Sequence, residues 1–113
     1  MNRQAMIQAA TARYEQVLDA AIALGGWQFI KPRDRWSLYL MASYCYYEMD
    51  RGLMPDTLFD SLCRTLLTGG LGGDWWFTDL WDPSALVAGS GYHTFGRIDP
   101  TLQSIALAIR PAE

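Results

Sequence analysis

A chain of 113 residues, 50% of them apolar, can bury one hydrophobic core without metal or disulfide staples, so a single domain over 1–113 is expected. A net charge of −3, from nine basic and twelve acidic residues, is too mild for a nucleic-acid-coating protein or a strong DNA mimic. Arg3, Arg13, Glu15 and Asp19 interrupt the first segment where a secretory signal needs an apolar run, and no stretch reaches the roughly 18 apolar residues of a membrane span.

Ile7, Ala10, Tyr14, Val17, Ala21 and Leu24 alternate spacings of three and four, which predicts an amphipathic helix over 3–24 that Gly25-Gly26 stops. The connector from Trp27 to Trp36 then alternates aromatic and basic residues. Lys31, Arg33, Arg35 and Trp36 could form a nucleic-acid contact of the kind in which rings stack on bases beside phosphate-binding side chains. The plainer expectation is that Trp27 and Phe29 close the edge of a core, with arginines lying over them. Pro32 and Asp34 open a second helix that is apolar or aromatic at nearly every position from Trp36 to Met49, the pattern of a buried central helix.

Arg51-Gly52 should end that helix, because glycine readily takes the left-handed conformation beyond a helix C-terminus. Asp56 stands immediately before the apolar repeat Leu58, Phe59, Leu62, Cys63, Leu66 and Leu67, which predicts a third helix over about 57–67 with Asp56 as its cap. The segment 36–67 is thus a helix-loop-helix in which Tyr44, Tyr46 and Tyr47 crowd one helix end and Asp56 and Asp60 open the next. Phenol rings beside carboxylates make a candidate polar pocket. Cys45 and Cys63 fall in apolar helical patterns, where a thiol behaves as a small hydrophobe, so no metal site and a reducing cytoplasm are expected.

Gly69 to Gly73 holds four glycines in five residues and lacks the Lys-Ser/Thr of a phosphate loop, so it reads as a hinge or surface loop. After it, Asp74, Trp75, Trp76, Asp79 and Trp81 form an irregular Trp-rich stretch; if exposed, these residues would be a protein-interaction surface, since Trp is enriched where interfaces carry their energy. Asp82-Pro83 and Asp99-Pro100 each show the cap-then-proline order of a helix start. They predict a short helical turn through Val87, ended by Gly89-Ser90-Gly91, and a last helix over about 100–110. The fold class is therefore all-α: four helices, a short helical turn and a Trp-rich irregular loop.

The order Tyr46-Tyr47-Glu48-Met49-Asp50, then Pro55-Asp56, then Phe59-Asp60, resembles the N-terminal Ia segment of bacterial NAD-dependent DNA ligases, with matching spacing over residues 39–67. It also resembles small ligase-Ia-related proteins of bacteriophages, in which a loop like Ala88-Gly89-Ser90-Gly91-Tyr92 recurs. Tyr47 stands where the ligases carry histidine, and Phe59 where they carry tyrosine. In the ligases the segment helps hold the nicotinamide mononucleotide half of NAD, so the resemblance implies a ligand site of Tyr46, Tyr47, Asp56, Phe59 and Asp60, joined by Tyr92 and His93. A tyrosine ring can stack on nicotinamide, and carboxylates can accept from ribose hydroxyls or a carboxamide.

Ligation itself is excluded, because the sole lysine, Lys31, is followed by Pro-Arg-Asp and not by the x-Asp-Gly of an adenylation motif. His93 has no carboxylate at motif spacing and Ser90 lacks a nucleophile-elbow context, so no enzyme activity and no required cofactor are expected. The leading expectation is a non-enzymatic phage-type accessory protein that inhibits a host or anti-phage defence component, such as a CRISPR protein, by protein-protein contact. The alternatives are a module that binds or sequesters nicotinamide mononucleotide or an NAD-derived ligand, and the nucleic-acid contact through 31–36.

Overall fold

The computed structural model describes residues 2–69 and 79–110, and among them every regular element is helical. Four longer helices, α1 (Arg3–Leu24), α2 (Pro32–Glu48), α3 (Asp56–Gly69) and α5 (Pro100–Ala108), accompany the one-turn α4 (Pro83–Val87) and a 3-10 turn at Tyr92–Thr94. Asp74, Trp75 and Trp76, which the sequence offered as an interaction surface, lie outside the described residues. No helix among the described residues is long and apolar enough to cross a membrane.

Helix α2 is the hub, with α3 and α5 packed against it, α1 resting on α5 and α4 on α3. Its residues from Trp36 to Cys45 are all buried, as a helix apolar all round requires. Ser43 tolerates that burial by donating its hydroxyl to the Tyr39 carbonyl at 2.8 Å, and Thr11 of α1 does the same to Ile7 at 2.7 Å. From α3, Leu58, Leu62, Cys63 and Leu66 enter the core, and from α5, Leu102, Ile105 and Ala106. Fully burying one such leucine contributes about 1.5–3 kcal/mol.

The helix ends follow local chemistry. Gly25 is left-handed (φ 69°) and returns its N–H to Ala21 and Ile22. Asp82 accepts from the Ala85 amide at 3.1 Å, and Asp99 from Thr101 at 2.9 Å, each just before a proline at the first helical position. Two expectations at the centre are corrected. Helix α2 ends at Glu48, and the left-handed residue beyond it is Asp50 (φ 52°), ahead of Gly52; the Arg51 amide closes the end on the Cys45 carbonyl at 2.9 Å. Aspartate is among the few residues that enter this region at small cost. Asp56 is the first residue of α3, not its cap: the Pro55 carbonyl takes the amides of Leu58 and Phe59, which leaves the Asp56 carboxylate at the rim of a cleft.

The connector between α1 and α2 splits its two aromatics. Trp27 is buried, with its indole N–H donating to the Leu58 carbonyl of α3 at 3.0 Å, while Phe29 is 76% exposed and does not close the core edge. Arg35 lies over this connector, donating to the carbonyls of Trp27 and Gln28. At the other end of the fold, Arg51 donates to the Ile109 carbonyl at 2.7 Å and to Leu107 at 3.3 Å, tying the α2–α3 loop to the end of α5.

Candidate functional site

The break between α2 and α3 opens into a cleft of about 370 Å³. Tyr46 and Tyr47 from the last turn of α2 form one wall, and Asp56, Phe59 and Asp60 from the first two turns of α3 form the other. All five residues assigned to the pocket by spacing on these helices therefore line one opening. The α2 positions project together because residues 46 and 47 continue past the buried Cys45, where the helix leaves the core. Tyr46 is 60% exposed, a stacking surface and not a core ring.

The remaining two assigned residues divide. Tyr92 is outside the lining but braces it: its ring meets Tyr47 edge-on with centroids 5.3 Å apart, and Tyr47 meets Tyr46 at 4.9 Å. Phe95 extends the row beyond Tyr92 at 5.7 Å. His93 turns away from the cleft. One ring nitrogen, Nε2, lies 2.7 Å from the Leu80 carbonyl and so carries the proton, and the other has no hydrogen-bond partner among the described residues. It is a structural histidine of the α4 region, not a ligand residue of this opening.

The loop after α4 forms the back of the cleft through Gly89. Tyr39 donates its hydroxyl to the Ser90 carbonyl at 2.6 Å, and the Tyr47 and Ser90 hydroxyls are 3.2 Å apart, while Ser90 Oγ accepts from the Tyr92 amide. Tyr39 also stacks on Phe59 at 5.6 Å with planes 13° apart. Phe59 and Tyr47 are thus fixed by α2 and the loop before any ligand arrives. Burial pushes the Tyr39 phenol well above its ordinary value, with Cys63, Tyr47 and Asp82 adding to the effect, so it stays a neutral donor.

Sequence reading missed four wall residues: Asp50, Arg51, Leu53 and Met54, all from the inter-helix loop. The Asp-Arg-Gly break was visible, but only as a helix stop. With Asp50, Asp56 and Asp60 against Arg51, the wall is net negative and suits a cationic or hydroxyl-rich ligand. Two Arg51 nitrogens are spent on α5 carbonyls, and its Nε has no hydrogen-bond partner among the described residues. The described residues hold no group of three or more His, Cys, Asp or Glu side chains placed to bind a metal ion.

Compared with known protein families, curated proteins and solved structures, the chain matches none of them. Function is therefore argued from geometry.

The other assigned surfaces change character. Trp81 is half-buried and packs on Trp36 with centroids 5.8 Å apart, so its ring belongs to the edge of the core; Asp79 is exposed, and its carbonyl accepts from Arg97. In the basic-aromatic connector, Trp36 is 1% exposed and cannot stack on a base, and the Arg35 guanidinium is committed to carbonyls of its own chain. The nucleic-acid contact over 31–36 loses its aromatic and one of its cations; Lys31 and Arg33 remain at the surface.

Proposed function

We propose that this chain is a non-enzymatic binding module that holds a small ligand of the nicotinamide mononucleotide class in the α2–α3 cleft. The observation that carries the reading is the convergence of Tyr46, Tyr47, Asp56, Phe59 and Asp60 on one open cavity of about 370 Å³, within the range of small-molecule sites. An exposed phenol ring beside acidic side chains offers a pyridinium both a stacking face and compensating charge. Asp56 and Asp60 accept from ribose hydroxyls or a carboxamide. The likeness of these same positions to the ligase Ia segment points to the same ligand class.

Calorimetry with nicotinamide mononucleotide, NAD and ADP-ribose tests it. The mononucleotide should bind, and Tyr46→Ala and Asp60→Asn should each weaken binding about tenfold or more, since one stacked ring contributes roughly 1–3 kcal/mol. Heat from none of the three ligands would remove the reading.

The exposed row of Tyr46, Tyr92 and Phe95 supports a second reading, in which a phage-type accessory protein blocks a host or anti-phage defence component through this aromatic face. A stoichiometric partner recovered from host lysate, and lost with Tyr92→Ser/Phe95→Ser, is its expected result; recovery unchanged by that variant would defeat it.

A further inference from the structure

A second cavity, of about 350 Å³ and sharing no residue with the first, lies where the middle of α1 meets the start of α2. Its walls include Arg13 and Tyr14 from α1 and Lys31, Arg33, Asp34 and Ser37 from α2 and its N-terminal flank. The single carboxylate, Asp34, is already neutralised by Arg13 at 2.8 Å. The Arg13 guanidinium also lies 4.4 Å from the Tyr14 ring centroid, so it is held in place from two sides while half of its surface stays open to solvent. With Lys31 and Arg33 beside this pair, the cavity carries a net positive charge.

Two observations indicate that the cavity is more than a solvated basic face. Ser37 is 2% exposed and lines it, yet its hydroxyl makes no hydrogen bond to any described residue, although a buried hydroxyl left without a partner costs about 1–3 kcal/mol. Helix α2 has no side-chain cap at Lys31 and a proline at its first position, so the first-turn amides of Arg33 and Asp34 are not capped by the side chain that usually takes them. A buried hydroxyl, uncapped amides and fixed guanidinium and ammonium groups all face the same need, an oxyanion acceptor.

We infer that this cavity is a binding site for the phosphate group of a small molecule. Arg13 and Lys31 supply the charge, Ser37 and the first-turn amides of α2 supply neutral donors, and the volume leaves room for an organic group beyond the phosphate. The site is independent of the α2–α3 cleft, and its failure would leave that cleft's reading intact.

The test is titration of the full chain, uniformly ¹⁵N-labelled, with inorganic phosphate and separately with ribose 5-phosphate, following backbone amide resonances. Saturable shifts of the Arg33, Asp34 and Ser37 amides are expected, absent with sodium chloride at matched ionic strength. Lys31→Gln, at an exposed position where folding is not at stake, should weaken binding about tenfold, and Ser37→Ala about threefold. The tighter of the two phosphates identifies whether free phosphate or a phosphate ester is the natural form. Linear shifts reproduced by chloride, an affinity unchanged in Lys31→Gln, or binding of a single-stranded oligonucleotide with no response to either small phosphate would each overturn the inference.

Discussion

Gly91 is the tightest joint between the loop behind the cleft and helix α2. Its backbone, at φ −124° and ψ 15°, is open to any residue, so only space can require glycine there. A Cβ at this position would overlap Ser43 Oγ and lie 2.8 Å from Ser43 Cβ, with Tyr39 Cζ at 3.5 Å. Both Ser43 atoms are close to the backbone of a buried helix, and neither can swing away as a flexible chain end would. Gly91→Ala should therefore push the loop off α2 and destabilise the protein by about 1–3 kcal/mol, the usual cost of overpacking. In thermal unfolding this is a fall of roughly 4–12 °C for a domain of this size. The same displacement would loosen the Ser90 contacts that hold Tyr39 and Tyr47, so ligand affinity in the α2–α3 cleft should fall together with stability. A double-mutant cycle isolates the cause: in a Ser43→Gly background, where Tyr39 is the only remaining neighbour and at ordinary contact distance, Gly91→Ala should cost almost nothing. Urea melts of the four proteins provide the numbers. A Gly91→Ala midpoint equal to the parent's, or a penalty undiminished beside Ser43→Gly, would refute the steric reasoning.

Alkaline pH should weaken the fold, because burial raises the Cys63 thiol to about 12 and also raises Cys45 and the Tyr39 phenol, whereas the unfolded chain releases these protons near 9 and 10. Their stabilising effect is complete below about pH 8.5 and is lost as pH rises toward 12; equal urea midpoints at pH 7.5 and 10.5 would contradict this. Trp27→Phe should cost about 1–3 kcal/mol by leaving the buried Leu58 carbonyl without its indole donor, whereas Phe29→Ser, on an exposed ring, should change stability by less than about 0.5 kcal/mol. Chemical denaturation of both variants checks the pair, and similar losses in the two would show that the connector is not divided in this way.

The helices were legible because each combines a periodic apolar pattern with a terminator whose chemistry acts over one or two residues. Gly25, Asp82-Pro83 and Asp99-Pro100 do in the structure what their local order suggests. The α2 exit was displaced because both Asp50 and Gly52 can follow a helix end, and the choice between them is made by the tertiary tie of Arg51 to the Leu107 and Ile109 carbonyls, more than fifty positions away. The cleft was half legible. Tyr46, Tyr47, Asp56, Phe59 and Asp60 stand near one another in sequence and remain so in space. Its back wall at Gly89 and its loop wall from Asp50 to Met54 depend on long-range packing that no spacing encodes. His93 was misjudged for the same reason: its neighbours Tyr92 and Ser90 belong to the site's support, but its own ring is taken by Leu80.

The bond between Tyr47 and Ser90 joins positions 43 apart in the chain, and the Tyr39–Ser90 bond joins positions 51 apart. A peptide cut to the helix-loop-helix alone would keep the two acids and the two phenols but lose whatever holds their orientation. Recognition at this site is therefore a property of the assembled molecule: it should emerge only in the last stage of folding and vanish in any graft that leaves the glycine-bearing strap behind.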